Sequence, residues 1–324
     1  MRAPPDEFDA GALAGVLADG WGFEAERVEY AALGGGSYHW VVSGPGGALG
    51  FATVDDLDRK PWLGGTPDAV FDGLERAFDA AFTLREGGLG FVVAPIRAAN
   101  GNTVLRIGRR YSVALFPFVA GAAGRFGRYE PEERAAVLTM LAELHRATPA
   151  VASHARRIEL GLPGRRGLES ALEEVNGAWS GGPYSEPARQ ALVAHASEVV
   201  ELLALADRLS AELAGRSGDW VVTHGEPHAA NILRTAEGYV LVDWDTLALA
   251  PRERDFWMPV EDAAGAELDQ VALDFFRLRW DLADLAAFLT VLRSPHRRTA
   301  DTAKAYAGVL HCVAIRNRWA ALLD

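Results

Sequence analysis

Cysteine is nearly absent from this 324-residue chain. The single residue, Cys312, excludes an intramolecular disulfide and a cysteine-based zinc or iron–sulfur centre. Lysine is almost as scarce: Lys60 and Lys304 are the two among 32 basic residues, so chemistry that needs a lysine has two places to find one. Basic residues are also outnumbered by 44 acidic ones, giving a formal charge of −12. That balance argues against nucleic-acid backbones and anionic membranes as partners, because both are gripped by basic patches, and it favours small cations. No apolar run approaches the roughly 18 residues of a membrane span, and the first residues lack the apolar core of a signal peptide. The chain therefore reads as soluble and cytoplasmic. The remaining composition, 49% hydrophobic and 23% charged, is globular rather than disordered. The length suits two domains, or one domain with two lobes.

The pattern along the chain changes character once. Tyr38–Val42 and Leu49–Val54 are aromatic and β-branched runs around the turn Gly44-Pro45-Gly46-Gly47, which predicts a hairpin. Thr66-Pro67 offers an N-cap with proline at the first helical position. Val70, Leu74, Ala77 and Ala81 then follow at helical spacing to about Arg85. Phe91–Pro95, Thr103–Ile107 and Tyr111–Phe118 read as further strands. Beyond Gly121-Ala122-Ala123-Gly124 helical patterns dominate, from Pro131 and then over about 166–178, 186–214, 266–291 and 298–323. They are interrupted by a short strand pair, Trp220–Val222 with Tyr239–Asp243. The expectation is an α+β chain with a β-rich lobe over residues 1–120 and a helical lobe over 121–324, and a cleft between lobes is a common ligand site.

The chemistry concentrates between Val221 and Asp255, where His224, Glu226, His228, Asn231, Asp243 and Asp245 fall between apolar strands. Polar groups beside a core must be paired or metal-bound. Two chemistries fit. Phosphoryl transfer needs a carboxylate near the attacking hydroxyl and oxygen ligands for Mg²⁺; Glu226 would be the base, and Asn231 with Asp243 the ligands. Metal hydrolysis would use His224, His228 and Asp243 as ligands and Glu226 as base. However, Gly225 and Pro227 between the histidines oppose the helix that would put both on one face.

The same stretch resembles the catalytic segment of the aminoglycoside phosphotransferase family, whose fold is similar to protein kinases. His224-Gly225-Glu226, four residues, Asn231, then Leu241-Val242-Asp243-Trp244-Asp245 follow the family order. Leu249-Ala250-Pro251-Arg252-Glu253-Arg254-Asp255 is similar to spectinomycin-type members in particular, and Leu141–Thr148 is typical of the preceding helix. The resemblance implies a two-lobed protein-kinase-like fold, with a small antiparallel β-sheet lobe and a larger helical lobe. It also implies Mg²⁺-dependent transfer from ATP or GTP to a hydroxyl of a small cationic acceptor, of the kind that confers antibiotic resistance. Glu226 would be the base, Asn231 and Asp243 the Mg²⁺ ligands, and Asp255 the residue that fixes the loop. Gly35, Gly36 and Ser37 would turn over the nucleotide phosphates, and Phe118 and Val119 would form the hinge beside adenine. Glu261, Trp280, Asp281 and Asp284 would meet the acceptor.

The chain departs from the family pattern twice. Glu226 stands where the family has aspartate; the extra methylene moves the carboxylate by about 1.5 Å, and misplacement near 1 Å can lower a rate about a hundredfold. Thr53 stands where the family has its strand lysine, whose helix partner would here be Glu75. Lys60, with Arg59 beside it, would have to reach the phosphates from another direction. A kinase-like binding module without catalysis, and a kinase for a metabolite such as choline or homoserine, are the alternative readings.

Overall fold

The computed structural model describes residues 1, 3–5, 8–216, 220–258 and 268–323. The chain divides into two compact units, Met1–Ile158 with Asp219–Gly265, and Glu159–Gly218 with Ala266–Asp324. The change from strands to helices near residue 120 thus falls inside the first unit and is not a boundary of compactness.

The first unit opens with α1 (Ala10–Trp21), capped by the Asp9 carboxylate on Ala12 N at 2.8 Å. β1 (Arg27–Ala31), β2 (Tyr38–Ser43) and β3 (Leu49–Asp56) follow, then α2 (Pro67–Glu86), β4 (Leu105–Ile107) and β5 (Tyr111–Pro117). The strands form one antiparallel sheet in the order β1-β2-β3-β5-β4. The expected hairpin is present, with Val42 opposite Gly50 and His39 opposite Thr53. Thr66 caps α2 through Ala69 N, as the Thr-Pro signature predicts. Phe91–Pro95 does not become a sheet strand: Val92 makes one parallel bridge to Leu241, and the backbone bonds continue only through Val93 and Phe91.

After the short β6 (Ala122–Ala123), Pro131 starts α3 (Pro131–Arg146), and α4 (Thr148–Val151) is a single turn. α5 (Arg165–Glu173) and α6 (Ser185–Ala214) belong to the second unit. The chain returns to the first unit for β7 (Val221–Thr223), β8 (Ile232–Thr235), β9 (Gly238–Leu241) and β10 (Ala248–Ala250). The expected pairing of β7 with the 239–243 strand is corrected. β7 pairs with β10, while β9 pairs with β8, which also carries β6. Apolar runs mark strands but do not name their partners, and the tight 235–238 turn makes β8–β9 the local hairpin. The second unit is completed by α7 (Gln270–Arg293), α8 (Ala300–Val313) and α9 (Ala320–Leu323), with α6, α7 and α8 packed pairwise. The single helix expected over 298–323 is broken by a 3₁₀ turn at Arg316–Trp319.

A core of α2, α3 and catalytic-segment residues supports the site: Ala77, Ala81, Leu141, Leu144, Val222, Ile232, Leu241, Trp244 and Leu249 are all buried in one cluster. Burying each leucine, isoleucine or valine of this set contributes about 1.5–3 kcal/mol, so the loops between β7 and β10 hang from a well-packed base. Among the described residues no helix is long and apolar enough to cross a membrane.

Candidate active site

The loop after β7 is held by one acid. Asp255, fully buried, accepts from Gly225 N at 2.6 Å, His224 N at 3.1 Å and His145 Nε2 at 2.9 Å. Burial alone would raise its pKa, but the His145 hydrogen bond and charge, Arg254 and the Gly225 amide outweigh it and hold the carboxyl below its ordinary value. Arg254 braces the other side, with Nη1 on Thr223 Oγ1 at 2.7 Å and Nη2 on Thr246 O at 2.9 Å. Its guanidinium occupies the place where a Cβ on residue 225 would lie, and Gly225 has φ +96°, so glycine is required there on two counts. Thr148 adds a further tie, accepting from Val222 N at 2.9 Å. His145 and Thr148 were named in the sequence only as part of a typical helix; both fasten the catalytic segment.

His224 is buried and neutral. Its Nδ1 accepts from Glu226 N at 3.2 Å, which leaves Nε2–H to donate to Val242 O at 2.9 Å. Burial lowers its pKa to about 4. With both ring nitrogens engaged it is not free to ligate a metal, so the hydrolytic reading loses a ligand. His228 meets the edge of Phe126, and its Nδ1 is buried without a hydrogen-bond partner.

Three hydrogen bonds tie the segment from Glu226 to Trp244 together. Asn231 Nδ2 donates to Glu226 O at 2.9 Å, Val242 N donates to Asn231 O at 3.0 Å, and Trp244 Nε1 donates to Leu241 O at 2.9 Å. The first bond fixes the Asn231 amide so that Oδ1 is its outward acceptor. Asp243 follows β9 with φ 68°, the one positive φ outside glycine among the described residues. Aspartate tolerates this left-handed conformation better than most residues, and such outliers cluster at functional sites. Its residue surface is open to solvent, although protein surrounds the carboxyl. That surrounding protein and the like charges of Asp245 and Asp55 raise its pKa to about 7, against Lys60.

Lys60 is completely buried and donates to Asp245 Oδ2 at 2.6 Å, Asp55 Oδ1 at 2.8 Å and Ser37 Oγ at 3.0 Å. Burial would depress its pKa, yet Asp245, Asp55 and Asp243 together raise it, so the ammonium stays charged. Ser37 in turn donates to Asp55 Oδ1 at 2.6 Å. The other oxygen, Asp55 Oδ2, is buried with no hydrogen-bond partner. Two carboxyls thus contact one ammonium, and the charge of Asp243 acts on it as well. Asp55 was missed in the sequence because nothing in β3 distinguishes it from a strand-end acid.

These groups fit Mg²⁺, which takes oxygen donors from one or two side chains and completes its shell from phosphates and water. The donor set of Asn231 and Asp243 is all oxygen, and the orphaned Asp55 oxygen shows that the surrounding negative charge is incompletely balanced. Among the described residues no three His, Cys, Asp or Glu side chains form a metal cage of their own.

The remaining expected site residues are placed as follows. Gly35 and Gly36 are exposed in the turn after Gly34 (φ +60°). Phe118 is exposed and Val119 half-buried between β5 and β6. Trp280, Asp281 and Asp284 lie half-buried on α7 in the second unit. Asp281 is 3.3 Å from Arg318. Burial, with Asp281 beside it, raises the Asp284 carboxyl to about 6. Glu261 lies outside the described residues.

The profile of the phosphotransferase enzyme family matches residues 76–289, which contain the whole stretch from Val221 to Asp255. The chain belongs to this family. It is a phosphotransferase, and its fold is the α+β kinase-like fold of related solved structures. It is 31% identical over 245 residues to Protein StrN of Streptomyces griseus, spanning 72% of this chain and 74% of that protein. A spectinomycin phosphotransferase solved with ADP and spectinomycin superposes with a TM-score of 0.71 at 14% identity, covering 96% of this chain and 99% of that one. An amicoumacin kinase solved with AMP-PNP, Ca²⁺ and its ligand gives a TM-score of 0.57 at 12% identity, covering 96% and 94%.

Proposed function

We propose that this phosphotransferase moves the γ-phosphate of ATP or GTP, with Mg²⁺, to a hydroxyl of a small cationic acceptor of the aminoglycoside type. The observation that carries the reading is the bonded set Glu226–Asn231–Val242-Asp243, fastened from beneath by Asp255. The structural neighbours solved with ADP and spectinomycin, and with AMP-PNP, Ca²⁺ and a small-molecule ligand, support a nucleotide donor and a small-molecule acceptor.

In this reading Asn231 Oδ1 and the Asp243 carboxylate would hold the metal. The ion, when bound, neutralises charge that develops on the transferred phosphoryl group. Glu226 orients the acceptor hydroxyl and takes its proton. Because its backbone N–H and C=O are both bound, to His224 and Asn231, the loop is set with glutamate in place. Gly35, Gly36 and Ser37 cover the phosphates, while Phe118 and Val119 offer backbone groups to the base. Asp281 and Asp284 are proposed for ammonium groups of the acceptor, together with Trp280 and Glu261. The work is positioning and charge stabilisation, with no covalent intermediate.

The test is an acceptor panel (aminocyclitols, aminoglycosides, macrolides and amino alcohols) incubated with Mg²⁺ and ATP or GTP and read by mass spectrometry. Gain of one phosphoryl group on a cationic antibiotic supports the reading. Transfer only to an amino alcohol assigns a metabolite kinase, and nucleotide binding without transfer to any acceptor contradicts catalysis.

A further inference from the structure

Thr53, which stands where the resemblance implies a strand lysine, has its Oγ1 within 3.2 Å of His39 Nδ1 across the sheet. Neither group supplies a permanent positive charge. The nearest lysine in sequence has been moved seven residues on, past the end of β3. The turn that moves it is well built: Asp56 caps a 3₁₀ turn at Leu57–Arg59 through Asp58 N, Arg110 Nη2 grips Asp56 at 2.8 Å, and Leu57 N bonds Arg110 O at 2.7 Å. This brings the Lys60 ammonium back onto Asp55.

We propose that Lys60 is the positioning residue for the nucleotide phosphates, displaced from the strand to this turn and acting through Ser37, Asp55 and Asp245 rather than by touching phosphate. This rests on the nucleotide reading above. All three ammonium hydrogens are committed, to Ser37 Oγ, Asp55 Oδ1 and Asp245 Oδ2, and the side chain has no exposed surface. Its reach is what matters. Ser37 follows the glycine turn, Asp55 is the last residue but one of β3, and Asp245 lies two residues after Asp243. One buried ammonium therefore locks the turn proposed over the phosphates to the segment proposed to hold the metal. It also cancels one of three clustered negative charges where a polyphosphate must approach. Its ion partners are Asp55 and Asp245; Glu75, half-buried on α2 with Asp79 and Asp72 for neighbours, takes no part.

The experiment measures affinity by calorimetry for the preferred nucleoside triphosphate with Mg²⁺ and, separately, for the bare nucleoside, in wild type, Lys60→Met, Lys60→Met/Asp245→Asn and Ser37→Ala. Lys60→Met is expected to weaken triphosphate binding about thirtyfold or more, the scale for stripping one partner from a buried charge pair. Nucleoside affinity and acceptor KM stay within about twofold. Adding Asp245→Asn, which removes the uncompensated acid, recovers part of the triphosphate affinity. Triphosphate affinity unchanged in Lys60→Met, or equal losses for triphosphate and nucleoside, overturns the proposal. If circular dichroism shows that Lys60→Met does not fold, Ser37→Ala decides. It is expected to lose about threefold to tenfold in triphosphate affinity alone, and no change overturns the proposal. A wild type that binds no triphosphate and transfers no phosphoryl group overturns the functional reading and this inference together. An active wild type with an unaltered Lys60→Met overturns this inference only.

Discussion

Asp255 and Asp55 are both fully buried carboxylates in the same compact unit, and they are treated in opposite ways. Asp255 is saturated: two backbone amides and His145 donate to it, and Arg254 lies close by. Asp55 has one oxygen shared between Ser37 and Lys60 and another with no donor, in a cluster where Asp243 and Asp245 add further negative charge. A satisfied acid is scaffolding, because nothing remains for a ligand to complete. An acid cluster with more negative charge than its neighbours neutralise is a place that gains by receiving a cation. The contrast separates the two halves of the candidate site: the Asp255 half holds geometry, and the Asp243 half supplies charge.

The contrast is tested most severely at Asp243. Asp243→Ala should lower Mg²⁺-dependent transfer by about a thousandfold or more without destabilising the fold at pH 8, because its raised pKa means that ionisation opposes folding; full turnover in that variant would remove Asp243 from the chemistry. Asp255→Ala should do the reverse in kind. It strands His145 and two amides, so a stability loss of about 3–5 kcal/mol is expected by urea unfolding. Since the folded pKa of Asp255 lies below its unfolded value, that stabilisation is present above about pH 4 and fades as pH falls through the folded pKa. The gap between wild type and variant should therefore narrow in acid.

Glu226→Gln should lower kcat about a hundredfold with little change in nucleotide KM, as expected for loss of a general base. An unchanged kcat would pass that role to another acid, with Asp245 next in line. The smallest effect is expected at Asp284, an acid of a third kind, whose raised pKa means that ionisation opposes folding. Its penalty is absent below about pH 4 and complete above the folded value of about 6. Asp284→Asn should thus stabilise the protein by about 1–3 kcal/mol at pH 8 and by almost nothing at pH 4. A raised acceptor KM in the same variant would tie that burial to acceptor binding.

The saturated half of the site was largely legible from the sequence. His224, Asn231 and Asp255 occur at short, fixed separations, and the backbone between them is bonded locally, as in the 2.8 Å bond from Asn231 N to His228 O. Of the charged half only Asp243 and Asp245 were legible, because they share that same stretch. Lys60 and Asp245 are 185 residues apart, and no local pattern states that they meet. The same limit explains the strand pairing, since β7 pairs with β10 across a segment that forms its own β8–β9 hairpin. α1 escaped notice because only Leu13 and Leu17 mark its buried face amid alanine and glycine. The Thr66-Pro67 start and the Gly44–Gly47 turn were legible for the opposite reason: capping and turn chemistry are set by neighbouring residues.

The central claim is that an amide and a carboxylate from the two sides of the β8–β9 hairpin share one divalent ion. A crystal structure with Mg²⁺ and a non-hydrolysable nucleoside triphosphate tests it most directly. The account predicts the ion at about 2.0–2.1 Å from both Asn231 Oδ1 and an Asp243 oxygen, bridging to the phosphates. A bound triphosphate whose metal is held by other residues, with Asn231 and Asp243 unligated, would contradict it.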